Sequence, residues 1–211
     1  MNSELASNVA NELLQIKAVK LQPNAPFTWA SGWKSPIYCD NRKTLSYPEV
    51  RKLIAKGLAQ GVREKFADAE VVAGVATGAI AIGIMVAEEL GLPFVYVRPK
   101  PKEHGLGNQI EGYLPENSKV VVIEDLISTG GSSLKAVEAL RETSSTVLGM
   151  VAIFTYGFAT ADENFEKAQC PIYTLSNYSE LVKLAVSSGY VSEGDLEQLN
   201  EWRKSPSTWK S

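Results

Sequence analysis

The segment from Lys119 to Leu140, KVVVIEDLISTGGSSLKAVEAL, carries the densest chemistry in the chain. An apolar run ends in two carboxylates, Glu124 and Asp125, and is followed by a loop of small residues and then a helical pattern. Ser128, Thr129, Gly130, Gly131 and Ser132 offer consecutive backbone N–H groups and hydroxyls where that helix begins. Unpaired donors and the positive end of the helix dipole favour an anion there. The glycines let a phosphate approach the backbone closely. An ionised carboxylate only accepts hydrogen bonds, so the acidic pair does not hold phosphate itself. Beside a phosphate cradle it suits sugar hydroxyls or the waters of a bound magnesium. Together the two halves point to a ribose phosphate. The plainer alternative is a strand-to-helix turn with an N-cap serine and two solvated acids. Two nucleotide signatures are missing. GGSSLK lacks the Gly-Lys-Ser/Thr ending of a Walker loop, and the run from Gly105 through Gly107 to Ile110 lacks the last Gly or Ala of a dinucleotide fingerprint. ATP hydrolysis and NAD binding are therefore poor fits.

A second segment, VRPKPKEHGLGNQIEG at 97–112, places Arg98, Lys100, Lys102 and His104 in alternation with Pro99, Pro101 and Glu103. In an extended backbone alternate side chains share one side, so the cationic groups would form one basic face. Gly105 and Gly107 would let such a segment open and close, as lids that exclude water do. This suits a clamp on a polyanion; a solvated charged loop is the alternative. The only histidine of the chain, His104, is better explained in this clamp than in a core.

These residues need a scaffold. Leu5, Val9, Leu13 and Ile16 recur at helical spacing after the candidate caps Asn2 and Ser3. From Leu21 to Tyr47 the text turns rich in Pro, Asn, Ser and aromatics, which predicts short strands and turns. Ser46 and Glu49 have capping-box spacing, with Pro48 in the first turn, and predict a helix through Phe66 carrying Leu53, Ile54, Leu58 and Val62. Thereafter strand-length apolar runs (70–75, 93–98, 119–123, 146–154 and 171–175) alternate with helical stretches (79–90, 132–142 and 161–168). Two more helices are expected at 178–187 and 194–204. Continuous Val/Ile runs mean strands covered on both faces, so the expected fold class is α/β, a mostly parallel doubly wound sheet flanked by helices. Ligands of such sheets bind beyond the carboxyl ends of the strands. Residues 1–45 read as an N-terminal helix and small hood, and 46–211 as the α/β core with C-terminal helices.

Composition narrows the function classes. The 211 residues are 45% hydrophobic and 21% charged, with 21 Lys plus Arg against 24 Asp plus Glu and a formal net charge of -3. That balance argues against nucleic-acid or membrane-surface binding, so any cationic site must be local. One histidine and two distant cysteines, Cys39 and Cys170, exclude a Cys/His zinc cluster and a disulfide framework, and suit a reducing compartment. The start has no basic stretch before an apolar core, as a secretory signal would; the expected location is cytoplasmic. The apolar stretch 71–87 is interrupted by Gly74, Thr77, Gly78 and Gly83 and reads as strand, turn and helix rather than a membrane span.

IEDLISTGGSS resembles the phosphoribosyl-pyrophosphate (PRPP) motif of type I phosphoribosyltransferases. Two further segments resemble the orotate phosphoribosyltransferase family: 97–112 its mobile catalytic loop, and FTWASGWKSPIYCDNR at 27–42 its N-terminal hood. The resemblance implies the type I phosphoribosyltransferase fold and transfer of ribose 5-phosphate from PRPP to N1 of orotate. Inversion at C1 releases pyrophosphate and gives orotidine 5'-monophosphate for pyrimidine biosynthesis. It assigns PRPP to Arg98, Lys102, His104, Thr77, Gly78, Glu124, Asp125 and the run Leu126, Ile127, Ser128, Thr129, Gly130, Gly131, Ser132. Within that set Arg98, Lys102 and His104 meet the pyrophosphate from the neighbouring subunit of a homodimer. Lys102, His104 and Asp125 are its catalytic positions. The acids hold the ribose hydroxyls, Ser128 also touches orotate, and Thr77–Gly78 belongs to a pyrophosphate loop that often has unusual peptide geometry. The implied cofactor is Mg2+ held mainly by PRPP and water, with no protein metal site.

The chain departs from some family members, which have Lys where Ala30, Gly78 and Pro99 stand and an Arg after the strand following the PRPP motif, where Tyr156 lies nearby. Lys34 and Arg42 are the candidates for the orotate carboxylate, while Trp29, Trp33 and Tyr38 read as hood packing. A purine or uracil phosphoribosyltransferase would share 120–133 but not the SGWKSP and HGLGNQIEG segments. A PRPP-sensing regulator would need a DNA-binding module, for which the residues before the hood are too few.

Overall fold

The computed structural model describes residues 3–101 and 109–210. In chain order the elements are α1 (Ser3–Gln15), β1 (Val19–Leu21), β2 (Phe27–Thr28), β3 (Lys34–Ser35), β4 (Ile37–Cys39), a 3-10 helix (Asn41–Ser46), α2 (Pro48–Lys65), β5 (Val71–Val75), α3 (Ile80–Leu90), β6 (Phe94–Val97) and β7 (Ile110–Glu111). They continue with β8 (Lys119–Ile127), α4 (Gly131–Arg141), β9 (Thr146–Thr155), α5 (Ala159–Lys167), β10 (Ile172–Asn177), α6 (Tyr178–Ser187), a 3-10 turn (Glu193–Asp195) and α7 (Leu196–Lys204).

One six-stranded sheet has the order β10-β9-β8-β5-β6-β7, parallel throughout except for β7 at one edge. The Val-rich strands feed both faces by simple alternation. Val72, Val121, Ile123, Val151 and Ile153 join one apolar cluster with residues of α1, α2, α3, α6 and α7. Val71, Ala73, Val75, Val120, Val122, Met150 and Ala152 join a second with residues of α4 and α5. From β5 the chain steps to β6 on one side, while β8, β9 and β10 follow on the other. The switch point of the sheet, where open α/β folds bind ligands, therefore lies at the carboxyl ends of β5 and β8.

The structure differs from the sequence reading in several places. The first residue before α2 is Tyr47, with no side-chain cap, and Ser46 closes the preceding 3-10 helix. Pro48 disfavours a helical conformation at the residue before it, and Tyr47 is extended at φ -116° and ψ 97°. The expected capping box of Ser46 and Glu49 thus does not form. Strand β8 runs on to Ile127, so the acidic pair lies within the paired strand, with Glu124 opposite Ala152. The edge strand β7 has no counterpart among the expected strand-length runs. Helix α1 buries Ala6, Val9, Ala10, Leu13 and Leu14, and the Ser176 hydroxyl of β10 donates to the Ala6 carbonyl. A boundary at residue 45 therefore does not separate α1 from the core. Among the described residues no helix is long and apolar enough to cross a membrane.

Candidate active site

An open cleft of about 560 Å³ sits at the switch point. Val75, Ala76, Thr77 and Gly78 line it from the end of β5, Glu124, Asp125 and Leu126 from β8, and Ser128 to Ser132 from the loop entering α4. Cys39, Asp40 and Arg42 come from β4 and the residues after it, and Pro99 from the end of β6. The phosphate-type loop, the acidic pair and the short loop after β5 are thereby assembled in one place.

The loop has the features its composition implies. Gly130 holds φ at +83°, and a Cβ there would lie 2.7 Å from the Phe165 ring, so glycine is required twice over. Gly131 opens α4 with free space where a Cβ would project, and no side chain caps the helix. The first N–H groups of α4 lack intrahelical acceptors, which leaves them for an anion.

The two acids differ. Glu124 is 4% exposed and accepts from the Ser133 hydroxyl at 2.8 Å and from the Asp125 N–H at 2.9 Å. Burial first, and the neighbouring Asp125 carboxylate second, push its pKa up to about 8. Asp125 is less enclosed, and the Asn41 side-chain amide donates to its main-chain carbonyl at 2.6 Å. That asparagine is 2% exposed, and its amide oxygen accepts from the Cys39 thiol at 3.3 Å. Burial, with Asp125 and Asp40 nearby, raises the Cys39 thiol well above its usual range, so it stays protonated. The Ala76–Thr77 peptide bond is cis, an unusual geometry in the loop where the resemblance implies one. Gly78 is packed against Asp125: a Cβ would lie 2.5 Å from its carboxylate atoms.

Not every expected residue reaches the cleft. Lys34 is exposed on β3, where it donates to the Thr28 hydroxyl at 2.8 Å across the hairpin, and it is not among the lining residues. β3 is a two-residue strand whose buried member is Ser35, and alternation turns Lys34 the other way. Arg42 does line the cleft and pairs with Asp40 at 2.7 Å, a bond that lowers the Asp40 pKa. Arg98 lies outside the lining and pairs with Glu111 of β7 at 3.5 Å; its neighbour Pro99 reaches the rim. The Ile127 side chain is fully buried in the core, and its carbonyl accepts from the Tyr156 N–H at 3.1 Å. Lys102 and His104 lie outside the described residues. Trp29 packs on Tyr156 at 5.1 Å and on Trp202 at 5.6 Å, and its indole N–H donates to the Ile37 carbonyl, as hood packing requires.

Sequence reading missed Ser133, Asn41 and Asn164, whose amide donates to the Thr129 carbonyl at 2.9 Å. A serine one residue beyond the cradle was a weak signal for the first; the other two act across sequence separations of 84 and 35 residues.

Comparison with known proteins places the chain among phosphoribosyltransferases. Residues 43–183 match the phosphoribosyl transferase domain family. The chain is 62% identical over 205 residues to an orotate phosphoribosyltransferase of Porphyromonas gingivalis, covering 97% of this chain and 98% of that protein. It is 56% identical over 205 residues to the Listeria monocytogenes protein of the same name, with coverages of 97% and 98%. Among solved structures it is similar to orotate phosphoribosyltransferase from Aeropyrum pernix, with a TM-score of 0.75 and 29% identity over 87% of this chain and 99% of that one.

Proposed function

The chain belongs to the orotate phosphoribosyltransferase family, and from that premise we propose that it transfers ribose 5-phosphate from PRPP to N1 of orotate, giving orotidine 5'-monophosphate and pyrophosphate. The observation that carries this reading is the pairing, in one cleft at the sheet switch point, of an uncapped helix N-terminus with a half-exposed carboxylate, Asp125. One half suits a phosphate and the other the hydroxyls of a ribose.

The N–H and hydroxyl groups of Ser128 to Ser132 receive the 5-phosphate. Asp125 accepts from the ribose hydroxyls, and Glu124, held by Ser133, supports it from behind. Thr77 and Gly78 border the diphosphate. When the bond at C1 breaks ahead of the new bond, positive charge grows on the sugar and negative charge on the leaving diphosphate. Arg98, Lys102 and His104 supply preorganised positive charge for the latter, and no nucleophilic side chain is needed. They act across a homodimer, which accounts for Arg98 lying outside the lining of a single subunit's cleft.

Ser128 contacts orotate, and Arg42, at the cleft wall, is the cation for its carboxylate. Among the described residues no group of three or more His, Cys, Asp or Glu side chains converges as a metal cage. Of the three carboxylates that line the cleft, Asp40 is paired with Arg42 and Glu124 is buried against Ser133, which leaves Asp125 and fits Mg2+ that arrives on PRPP and keeps several waters. Bound there, the ion would neutralise charge on the diphosphate. Incubation with orotate, PRPP and magnesium should release one pyrophosphate for each orotate consumed. Pyrophosphate release that continues unchanged without orotate would refute base transfer.

A further inference from the structure

Helix α5 is short and lies outside the cleft, yet it holds the cradle through two consecutive residues. The Asn164 amide donates to the main-chain carbonyl of Thr129 at 2.9 Å. The Phe165 ring fills the space where a side chain on Gly130 would stand. Asparagine is a poor residue for the middle of a nine-residue helix, because its amide competes for backbone groups in other conformations. Here the amide is used on a different segment, 35 residues away.

The geometry matters because Thr129 lies among the residues that line the cleft, and a peptide unit presents a donor and an acceptor at opposite ends. An anion cradle works only if its N–H groups face the ligand and its carbonyls do not. A carbonyl turned inward would repel phosphate oxygens. An outside donor on that carbonyl fixes the orientation of the peptide plane.

We propose that Asn164 is a positioning residue for the phosphate cradle: by engaging the Thr129 carbonyl from α5, it holds the loop with its donors turned to the 5-phosphate of PRPP. The inference rests on the reading of Ser128 to Ser132 as the 5-phosphate site. Asn164 itself touches no substrate.

Calorimetric titration of the full chain with Mg·PRPP, ribose 5-phosphate and Mg·pyrophosphate tests it. For Asn164→Ala, ribose 5-phosphate and PRPP should bind about tenfold more weakly, as expected for loss of one part-buried hydrogen bond beside the cradle. Asn164→Asp, nearly isosteric, sets an oxygen against the Thr129 carbonyl and should weaken both further. Pyrophosphate affinity should stay within about twofold in both variants, since the diphosphate is assigned to other residues; a purely structural role would not separate the ligands. Unchanged ribose 5-phosphate affinity in both variants, or an equal loss for pyrophosphate, would overturn the proposal. If the wild-type chain bound neither PRPP nor ribose 5-phosphate, the reading of the cleft itself would fall, and the proposal with it.

Discussion

Gly78 and Asp125 occupy one another's space: a Cβ added to the glycine would lie 2.5 Å from Cγ and both carboxylate oxygens of the aspartate. The loop after β5 and the end of β8 are thus fitted at the level of single atoms. The group displaced by any side chain at 78 is the carboxylate assigned to the ribose.

Gly78→Ala should therefore fold, because a short side chain can rotate away, but with Asp125 displaced. The expected result is a rise of about tenfold or more in KM for PRPP, with a melting temperature close to that of the unchanged chain. Steady-state kinetics beside calorimetry checks this. A large fall in melting temperature with normal KM would mean that the contact is only structural.

Glu124 makes stability depend on pH in a defined direction. Its folded pKa of about 8 is above the ordinary glutamate value of 4.5, so the folded chain binds this proton more tightly than the unfolded chain. The stabilisation is fully present below the unfolded value and is lost as pH rises through the folded one. Between about pH 5 and about pH 9 the melting temperature should fall, and in Glu124→Gln, which mimics the protonated acid, that slope should flatten. An unchanged slope in the variant would assign the pH dependence to other groups.

Sharing of the site between subunits has a direct signature. Lys102→Ala alone should lose roughly a hundred- to a thousandfold in turnover, as removal of one preorganised charge donor does. Asp125→Asn should be similarly impaired. Mixing the two variants under conditions where subunits exchange should restore activity through hybrid sites that hold one intact loop and one intact cleft. No recovery from exchanged subunits would place the loop in its own subunit's cleft.

Arg42 and Lys34, the two candidates for the orotate carboxylate, should separate in their effects. Arg42→Ala removes the one that lines the cleft and should raise KM for orotate about tenfold or more, as loss of a hydrogen bond to a charged group does. Lys34→Ala removes a surface contact to Thr28 and should leave KM within about twofold. Kinetics with orotate varied at saturating PRPP distinguishes them, and the reverse ranking would return the carboxylate contact to Lys34.

Much of this organisation was legible because it rests on local patterns. Unbroken Val/Ile runs mark strands buried on both faces, and Val120 to Ile123 lie fully buried at the centre of the sheet. Small residues between a strand and a helix mark the loop that enters α4, where Gly130 holds a positive φ and Gly131 leaves open space. What was not legible depends on tertiary contact. Nothing near Lys34 in sequence says that a two-residue strand turns it outward, and nothing near Asn41 or Asn164 names the distant carbonyls they hold. The capping box at Ser46 was a competition between two local rules. The restriction that Pro48 places on Tyr47 won.

The most direct measurement of the central claim is the loss of orotate absorbance when the full chain is mixed with PRPP and magnesium, with adenine, guanine and uracil as competing bases in parallel. The cleft and the family predict turnover of orotate, dependent on PRPP and magnesium, and none of the other three. Turnover of any of those bases without turnover of orotate would contradict the account.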